Sequence, residues 1–404
     1  MTNNKTFPVL GRISAEQFLR DYWQKQPLLI RDAIPGYTTP VSPDELAGLA
    51  CEAEIESRIV LEHKNSEQVL PWELRHGPFD EESFAGLPAS HWTLLVQECN
   101  KYVPELALLL DQFNFIPGWR VDDVMVSYAV PGGSVGPHVD QYDVFLLQGL
   151  GQRRWQIDPQ TTAGHQPGEI PDFLPNAELR ILRQFEAQQE WVLNPGDILY
   201  LPPGVAHHGV ALDECMTMSV GFRAPSHYDL LTAFADDRFA RVTDPFRIAR
   251  YTDPDLSLQE NSGQISDQAL QRVVEIIQSY TREPQTIRRW FGQFITEPKH
   301  EFETLVPQTT YTPTRLQAAL QSHDVVHRSE SAKYAFIAQS PETTYLYVNS
   351  VEFTLSHDQQ ALAPLVCNRR QISSQRLLPF MNTDNTGDIV TRLFNEGYLF
   401  FDVQ

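Results

Sequence analysis

The central part of the chain alternates short apolar runs with turns rich in glycine and proline. From about Val121 to Arg223 the clearest runs are VMVSYAV, DVFLLQGL, RRWQI, EWVL, DILYLP and CMTMSVGF, and the turns include PGG, NPGD and PPG. Short apolar runs bounded by turn residues predict strands. Many such strands in succession predict a closed or sandwiched antiparallel sheet, as in a jelly roll or a cupin. The predicted fold class is therefore a mainly β core to which helices are added.

The residues before this β region carry helix start signals. Ser14, with Gln17 three residues later, predicts a capping box at the start of one helix. Ser42, followed by Pro43 at the first helical position, predicts the start of a second. A third helix is expected over about residues 91–110. The first domain is expected to span residues 1–225.

After Pro225 the apolar spacing becomes helical. Leu270, Val273, Val274 and Ile277 recur on one face of a helix expected over residues 266–280. A second, aromatic-rich helix is expected over residues 286–296. These helices can pack on their own domain or against a second subunit, and residues 226–305 are expected to form a separate helical region.

The last hundred residues or so mix helices and strands. The expected elements are a helix over 313–320, the strands YAFIA, TTYLYV and VEFTL, a helix over 389–395 and a final YLFF strand. Prolines at 298, 307 and 313 mark a linker before them. Residues 306–404 are therefore expected to form a compact α+β module.

Composition and charge limit the possible functions. Hydrophobic residues make up 42% and charged residues 21% of the chain, as in a globular protein with a sizeable core. No apolar run is long enough to span a membrane and the N-terminus lacks a secretory signal, so a cytoplasmic location is expected. The four cysteines form no CxxC pair and are expected to be reduced thiols. A net charge of −21 disfavours nucleic acid and favours a basic partner, although it also serves solubility.

A metal site is predicted in the β region. His138 and Asp140 lie two positions apart near a strand start, so alternation puts both side chains on one face. The later segment PGDILYLPPGVAHHG supplies a second imidazole from His207 or His208, of which only one can face inward. Two imidazoles and one carboxylate form the facial triad that holds iron(II) in non-haem oxygenases.

Oxygenases of this kind that use 2-oxoglutarate also need a cation for the distal carboxylate of that cosubstrate. Arg153 and Arg154 lie on the strand after DVFLLQGL, and arginine binds carboxylates bidentately. Alternation allows only one of them to point inward, and Trp155 would share the face of Arg153.

These motifs resemble the ribosomal oxygenases, which are Jumonji-C-type, cupin-like hydroxylases of ribosomal proteins. VPGGSVGPHVDQYDVFLLQGLGQRRW, PGDILYLPPGVAHHG and SVGFRAP carry the resemblance. It is closest to the bacterial branch, which hydroxylates an arginine of large-subunit ribosomal protein sixteen. It extends over essentially the whole chain and implies a double-stranded β-helix domain, a helical dimerisation region and a C-terminal winged-helix-like domain. The C-terminal part of the resemblance is mainly architectural.

The resemblance implies roles for individual residues. The metal ligands of the family fall on His138, Asp140 and His207, and its basic residue for 2-oxoglutarate falls on Arg153. Iron(II) is then the cofactor, with 2-oxoglutarate and O2 as cosubstrates. Thr217 and Ser219 on the strand after His207 become candidates for binding the cosubstrate. The residue after His207 departs from bacterial relatives, which commonly have an acidic residue where this chain has His208.

An arginine substrate calls for an aromatic face or a carboxylate near the metal. Tyr142 and Asp143, just after the HVD motif, are candidates for that role, although both residue types are equally often structural at such positions. The expected partner is a basic ribosomal protein, and the expected assembly is a homodimer that does not read nucleic acid.

Two other functions compete with this one. A cupin metalloenzyme acting on a small molecule is disfavoured because such sites commonly use an HxH pair, which GPHVD lacks. A non-catalytic scaffold is also disfavoured, because such a protein would not need a set of two histidines, one aspartate and one arginine. Within the oxygenase class, a histidine hydroxylase or a demethylase of another basic protein remains an alternative.

Overall fold

The structure is a computed structural model that describes residues 7–63, 71–162, 172–175, 178–240, 248–259, 261, 263–299, 306–382 and 386–402. The chain forms two compact units, Met1–Ala224 with Asn368–Arg370 and Pro225–Cys367 with Gln371–Gln404. The boundary expected after residue 305 falls at the edge of residues 300–305, which lie outside the described part.

The first unit is mainly β. Its helices are α1 (Ala15–Asp21), α2 (Pro43–Leu49), α3 (Glu81–Ala85) and α4 (Pro104–Leu109). Its strands are β1 (Leu28–Ile30), β2 (Ser57–Glu62), β3 (Trp72–His76), β4 (Trp92–Val96), β5 (Val121–Ala129), β6 (His138–Val139), β7 (Asp143–Leu150), β8 (Arg153–Thr162), β9 (Gln189–Leu193), β10 (Ile198–Leu201), β11 (Val205–Ala211) and β12 (Cys215–Phe222). All six β runs predicted between residues 121 and 223 are confirmed.

Two antiparallel sheets enclose the interior of this unit. The major sheet has the order β1-β10-β7-β12-β5-β4-β2-β3, and the minor sheet has the order β6-β11-β8-β9. Leu146 and Leu199 of the major sheet pack with Trp155 and Ile157 of the minor sheet in one buried cluster. This arrangement confirms the predicted jelly-roll, or double-stranded β-helix, core.

The outer face of the major sheet is covered by the N-terminal helices. Phe18 of α1 packs edge-on against Tyr200, with ring centroids 4.9 Å apart, and also contacts Phe145. Burying an aromatic side chain of this size stabilises a fold by about 1.5–3 kcal/mol. Both faces of the major sheet are therefore buried, one against the minor sheet and one against helices.

The helix starts follow the local sequence, with one exception. Ser14 accepts a hydrogen bond from the Gln17 amide, and Ser42 forms a complete capping box with Glu45. The helix expected over residues 91–110 is wrong in its first part, where β4 pairs with β2 and β5, whereas α4 lies in its last part. The run WTLLV is short and apolar, and its pairing with distant strands decides its conformation.

The second unit contains the helices and strands expected of an α+β module. Its helices are α5 (His227–Phe239), α6 (Asp267–Thr281), α7 (Pro284–Ile295), α8 (Pro313–Ser322), α9 (Leu362–Cys367), α10 (Ser374–Met381) and α11 (Thr386–Asn395). Its strands are β13 (Val325–Arg328), β14 (Tyr334–Ser340), β15 (Thr343–Val348), β16 (Val351–Ser356), β17 (Gln371–Ser373) and β18 (Leu399–Phe400). The sequence did not predict α5, α9, α10, β13 or β17.

Two three-stranded antiparallel sheets, β17-β13-β18 and β14-β15-β16, pack with α8, α9, α10 and α11 around a hydrophobic core. Within the part of the chain that the structure describes, no helix is long and apolar enough to cross a membrane.

Candidate metal and cosubstrate site

Three side chains converge inside the barrel formed by the two sheets. His138 of β6 lies directly opposite His207 of β11, so both imidazoles project from the same face, with ring centroids 4.2 Å apart. Asp140 follows the end of β6, and one of its carboxylate oxygens lies 3.6 Å from His207 Nε2 and 4.0 Å from His138 Nε2. One donor atom from each residue lies within 4.8 Å of the others, as a single metal ion requires.

Hydrogen bonds to the backbone fix the ring orientations. His138 Nδ1 lies 2.9 Å from the Gly136 carbonyl oxygen, and His207 Nδ1 lies 2.9 Å from the Val205 carbonyl oxygen. Because a carbonyl can only accept, each Nδ1 carries a hydrogen, and Nε2 is the nitrogen left to bind a metal ion. Metal-binding histidines are usually oriented in this way. The residues therefore fit a divalent ion held by two nitrogens and one oxygen.

The electrostatic environment keeps His207 neutral. Burial lowers the pKa of His207 to about 4, and the neighbouring His138 acts in the same direction while Asp140 opposes it. A neutral imidazole is the form that binds a metal ion. His208 takes the opposite face of β11, where its ring lies 6.1 Å from that of Phe185. The register therefore places His207, and not His208, with the other two ligands.

Arg153 projects into the same interior from β8. Its side chain is buried, and Nη1 donates to the Ser127 hydroxyl at 3.2 Å. Nε and Nη2 of Arg153 are also buried and have no hydrogen-bond partner among the described residues. Trp155 lies on the same face, 5.8 Å from the Arg153 guanidinium carbon and 5.8 Å from the His207 ring centroid. The guanidinium therefore keeps donors for an acceptor that no described residue supplies.

Thr217 and Ser219 line the interior from β12. Thr217 lies opposite Gln148 and donates to its side-chain oxygen at 3.0 Å, and the Gln148 amide donates to the Leu150 carbonyl. The hydroxyl proton of Thr217 is therefore already used in a hydrogen bond within the fold. Ser219 lies opposite Leu146, also on the interior face. Ser127 was not among the predicted site residues, although it is a polar residue at an inward position of the run VMVSYAV.

Asp143 does not belong to this site, which corrects the expectation that it contacts substrate. Its side chain is fully buried on the outer face of β7, where its two oxygens accept hydrogen bonds from Tyr200 at 2.6 Å, Gln24 at 2.9 Å and Arg120 at 3.2 Å. Alternation along β7 puts it on the face of Phe145, which is covered by helices. Asp143 therefore stabilises the position of the N-terminal segment.

Tyr142 lies on the interior side. It packs on the core cluster of the barrel, and the Arg223 guanidinium carbon lies 5.5 Å from its ring centroid. Burial and the neighbouring carboxylates of Asp140 and Asp123 raise the pKa of Tyr142. Asp123 and Tyr142 both border the open side of Gly221, within 3.9 Å of where a Cβ would lie. Sequence analysis missed Asp123, which has the same inward parity on β5 as Ser127.

Comparison with known proteins identifies the class to which this fold and site belong. Residues 108–230 match the JmjC domain, and residues 275–400 match the ROXA-like winged helix. The first match contains all three candidate metal ligands and Arg153. The chain is thus a Jumonji-C protein with a C-terminal winged-helix domain, as the sequence predicted.

Full-length relatives define the family within that class. The chain is 35% identical to the ribosomal protein uL16 3-hydroxylase of Escherichia coli over 95% of its own length and 97% of that protein. It is 33% identical to a probable ribosomal oxygenase of Haemophilus influenzae over 84% of its length and 80% of that protein. The structure of YcfD, a ribosomal oxygenase from E. coli, with cobalt and 2-oxoglutarate superposes with a TM-score of 0.82 at 33% identity, covering 97% of this chain and 99% of that one. The chain belongs to the ribosomal oxygenase family.

Proposed function

We propose that this protein is an iron(II)- and 2-oxoglutarate-dependent hydroxylase that acts on an arginine side chain of a large-subunit ribosomal protein. The observation that carries the proposal is the pairing of two features inside one barrel. His138, Asp140 and His207 offer two imidazole nitrogens and one carboxylate oxygen, the ligand set preferred by non-haem iron(II) oxygenases. Arg153, close to them, has buried N–H groups without acceptors.

The buried guanidinium supports a dicarboxylate cosubstrate. Buried donors in native proteins are almost always paired, and no described residue accepts from Nε and Nη2 of Arg153, so these groups call for a ligand as acceptor. A carboxylate matches the planar fork of arginine. Arg153, positioned by its hydrogen bond to the Ser127 hydroxyl, would hold the distal carboxylate of 2-oxoglutarate. The homologous E. coli protein was solved with 2-oxoglutarate and cobalt.

Each group then has a distinct task. Bound iron(II), with 2-oxoglutarate and O2, supplies the oxidising power needed to hydroxylate an unactivated C–H bond. His138, Asp140 and His207 would hold the ion. Arg153 orients the cosubstrate. The apolar side chains around the site exclude water.

The substrate proposal depends on charge and on the interior surface near Tyr142. A guanidinium from Arg223 already stacks on the Tyr142 ring, so this ring accepts cations of that shape. Asp123 adds a carboxylate beside it. The net charge of −21 favours encounter with a basic protein. The E. coli relative acts on ribosomal protein uL16, and a ribosomal substrate implies a cytoplasmic location.

Mass spectrometry of purified uL16 tests the function. We expect incubation with the protein, iron(II), 2-oxoglutarate and O2 to add one oxygen atom to an arginine of uL16. Asp140→Ala is expected to abolish the gain, and Asp123→Asn to weaken substrate binding. Oxygen added to a histidine, or loss of a methyl group, would replace the arginine assignment with one of the other protein-modifying activities. Absence of both uL16 modification and succinate formation would refute the proposal.

We also propose that the protein is a homodimer formed through α6. Leu270, Val273, Val274 and Ile277 form an apolar stripe on this helix and are 44–63% exposed. Contiguous apolar exposure of this kind marks an interaction surface, and closed twofold dimers are the commonest assembly. Light scattering should give twice the chain mass, and Leu270→Glu with Ile277→Glu should give the monomer mass. A monomeric wild-type protein would refute the assembly.

A further inference from the structure

The indole N–H of Trp155 is another unpaired donor inside the barrel, among the described residues. Trp155 is 5% exposed, and its Nε1 is buried without a hydrogen-bond partner among the described residues. A buried tryptophan usually finds an acceptor for this group, because leaving it unpaired is unfavourable. The proposed roles of the metal ligands and of Arg153 leave this group unexplained.

The six-membered part of the indole packs on Gly209. Trp155 lies opposite Gly209 of β11, and a Cβ at Gly209 would lie only 2.7 Å from Cη2 and Cζ3 of the indole. Nε1 is not among the three ring atoms nearest to this position. Any side chain at position 209 would displace the ring.

The neighbours of the ring connect this donor with the cosubstrate site. Arg153 lies on one side, with its guanidinium carbon 5.8 Å from the ring centroid, and His207 lies 5.8 Å away on the metal side. With Nε and Nη2 of Arg153, the indole makes three buried unpaired N–H groups in one small region. A carboxylate has two oxygens and about four lone-pair sites, enough to accept from all three.

We propose that Trp155 Nε1–H donates a hydrogen bond to the distal carboxylate of bound 2-oxoglutarate and makes the site selective for a 2-oxo acid that carries this second carboxylate. The inference rests on the proposed function, because it requires 2-oxoglutarate to bind. Trp155 is thus a cosubstrate-binding residue, and Gly209 is the position that sets its orientation.

Binding to cobalt-loaded, full-length protein tests this role without turnover. We expect Trp155→Phe to weaken 2-oxoglutarate binding by about tenfold or more in isothermal titration calorimetry, as for loss of a hydrogen bond to a charged group. Affinity for cobalt should not change. Pyruvate shares the 2-oxo acid group but lacks the distal carboxylate, so its affinity should be the same in the variant and the wild type.

Trp191→Phe is the matched control, because Trp191 lies opposite Trp155 on β9 and its ring is partly buried against the same core cluster. This variant should bind 2-oxoglutarate like the wild type. Unchanged 2-oxoglutarate affinity in Trp155→Phe would refute only the proposed role of Trp155 and would leave the proposed function standing. An equal loss for pyruvate would also refute it, because the ring would then serve only packing. A wild-type protein that binds cobalt but not 2-oxoglutarate would instead refute the proposed function.

A second measurement does not depend on the stability of a variant. The chain has seven tryptophans, so nitrogen-15 labelling gives seven indole N–H resonances in the zinc-loaded protein. We expect the Trp155 resonance, assigned from Trp155→Phe or from its neighbours, to move downfield on addition of 2-oxoglutarate and to stay in place with pyruvate. A resonance that does not move while 2-oxoglutarate binds would overturn the inference.

Discussion

Replacing Asp143 should unfold the N-terminal segment rather than impair substrate binding. Its carboxylate is fully buried and accepts hydrogen bonds from Tyr200, Gln24 and Arg120. Burial raises the pKa of Asp143, whereas the three donors favour its ionised form. Removing one partner of such a buried pair leaves the other charge uncompensated.

The structure sets the expected magnitude. Asp143→Ala leaves three donors without their acceptor, including an arginine whose side chain is only 12% exposed. We therefore expect a loss of about 3–5 kcal/mol in the free energy of unfolding. Asp143→Asn keeps one acceptor oxygen and should cost less, about 1–3 kcal/mol. Tyr200→Phe removes one donor to Asp143 and also the acceptor of the Gln24 amide, while the ring stays packed on Phe18, and should cost about 1.5–3 kcal/mol.

Urea unfolding followed by circular dichroism measures these losses, with the slope against denaturant as a check on the unfolding mechanism. Activity should be measured below the unfolding midpoint, where Asp143→Asn should keep the wild-type KM for the protein substrate. Wild-type stability together with a raised KM would refute the structural role. It would restore the expectation that Asp143 contacts substrate.

Three further predictions follow from burial. In metal-free protein the pKa of His207 is about 4 when folded against 6.5 when unfolded, so the unfolded chain binds the extra proton as pH falls between these values. The free energy of unfolding should then drop by up to roughly 3 kcal/mol over that window, and His207→Gln should remove the dependence. Gly209→Ala should destabilise the fold by about 1–3 kcal/mol, measured by urea unfolding, because the new methyl group overlaps Trp155; wild-type stability would contradict this packing. Iodoacetamide should label the exposed Cys51 but not Cys99, whose burial raises the pKa of its thiol to about 12, until urea unfolds the chain; mass spectrometry reads both sites.

The strands of the barrel could be predicted because their apolar runs are short and end at glycine and proline. The run Trp92–Val96 could not be assigned in the same way, since nothing local distinguishes it from a helical segment. The candidate metal ligands could be predicted because the HxD spacing places two side chains on one face of a strand. Choosing His207 over His208 from the residues alone required the register with His138, and strand register is a long-range property.

Asp143 shows that alternation along a strand predicts which residues share a face, but not whether that face lines a binding site or a structural network. Every residue of β7 from Asp143 to Gly149 is buried, because the interior covers one face and helices cover the other. A polar residue in such a strand can point into a binding site or into a structural network, and the two look alike in the sequence.

What separates the two faces is whether the buried polar groups are paired. On the helix-covered face, the Asp143 carboxylate takes three hydrogen bonds from the chain itself. On the interior face, Arg153 and Trp155 keep buried N–H groups that no described residue accepts. Native folds rarely leave such groups unpaired, so a cluster of them marks a place where a ligand completes the structure. By this criterion the interior face, with its three candidate metal ligands, is the functional one, and Asp143 belongs to the scaffold.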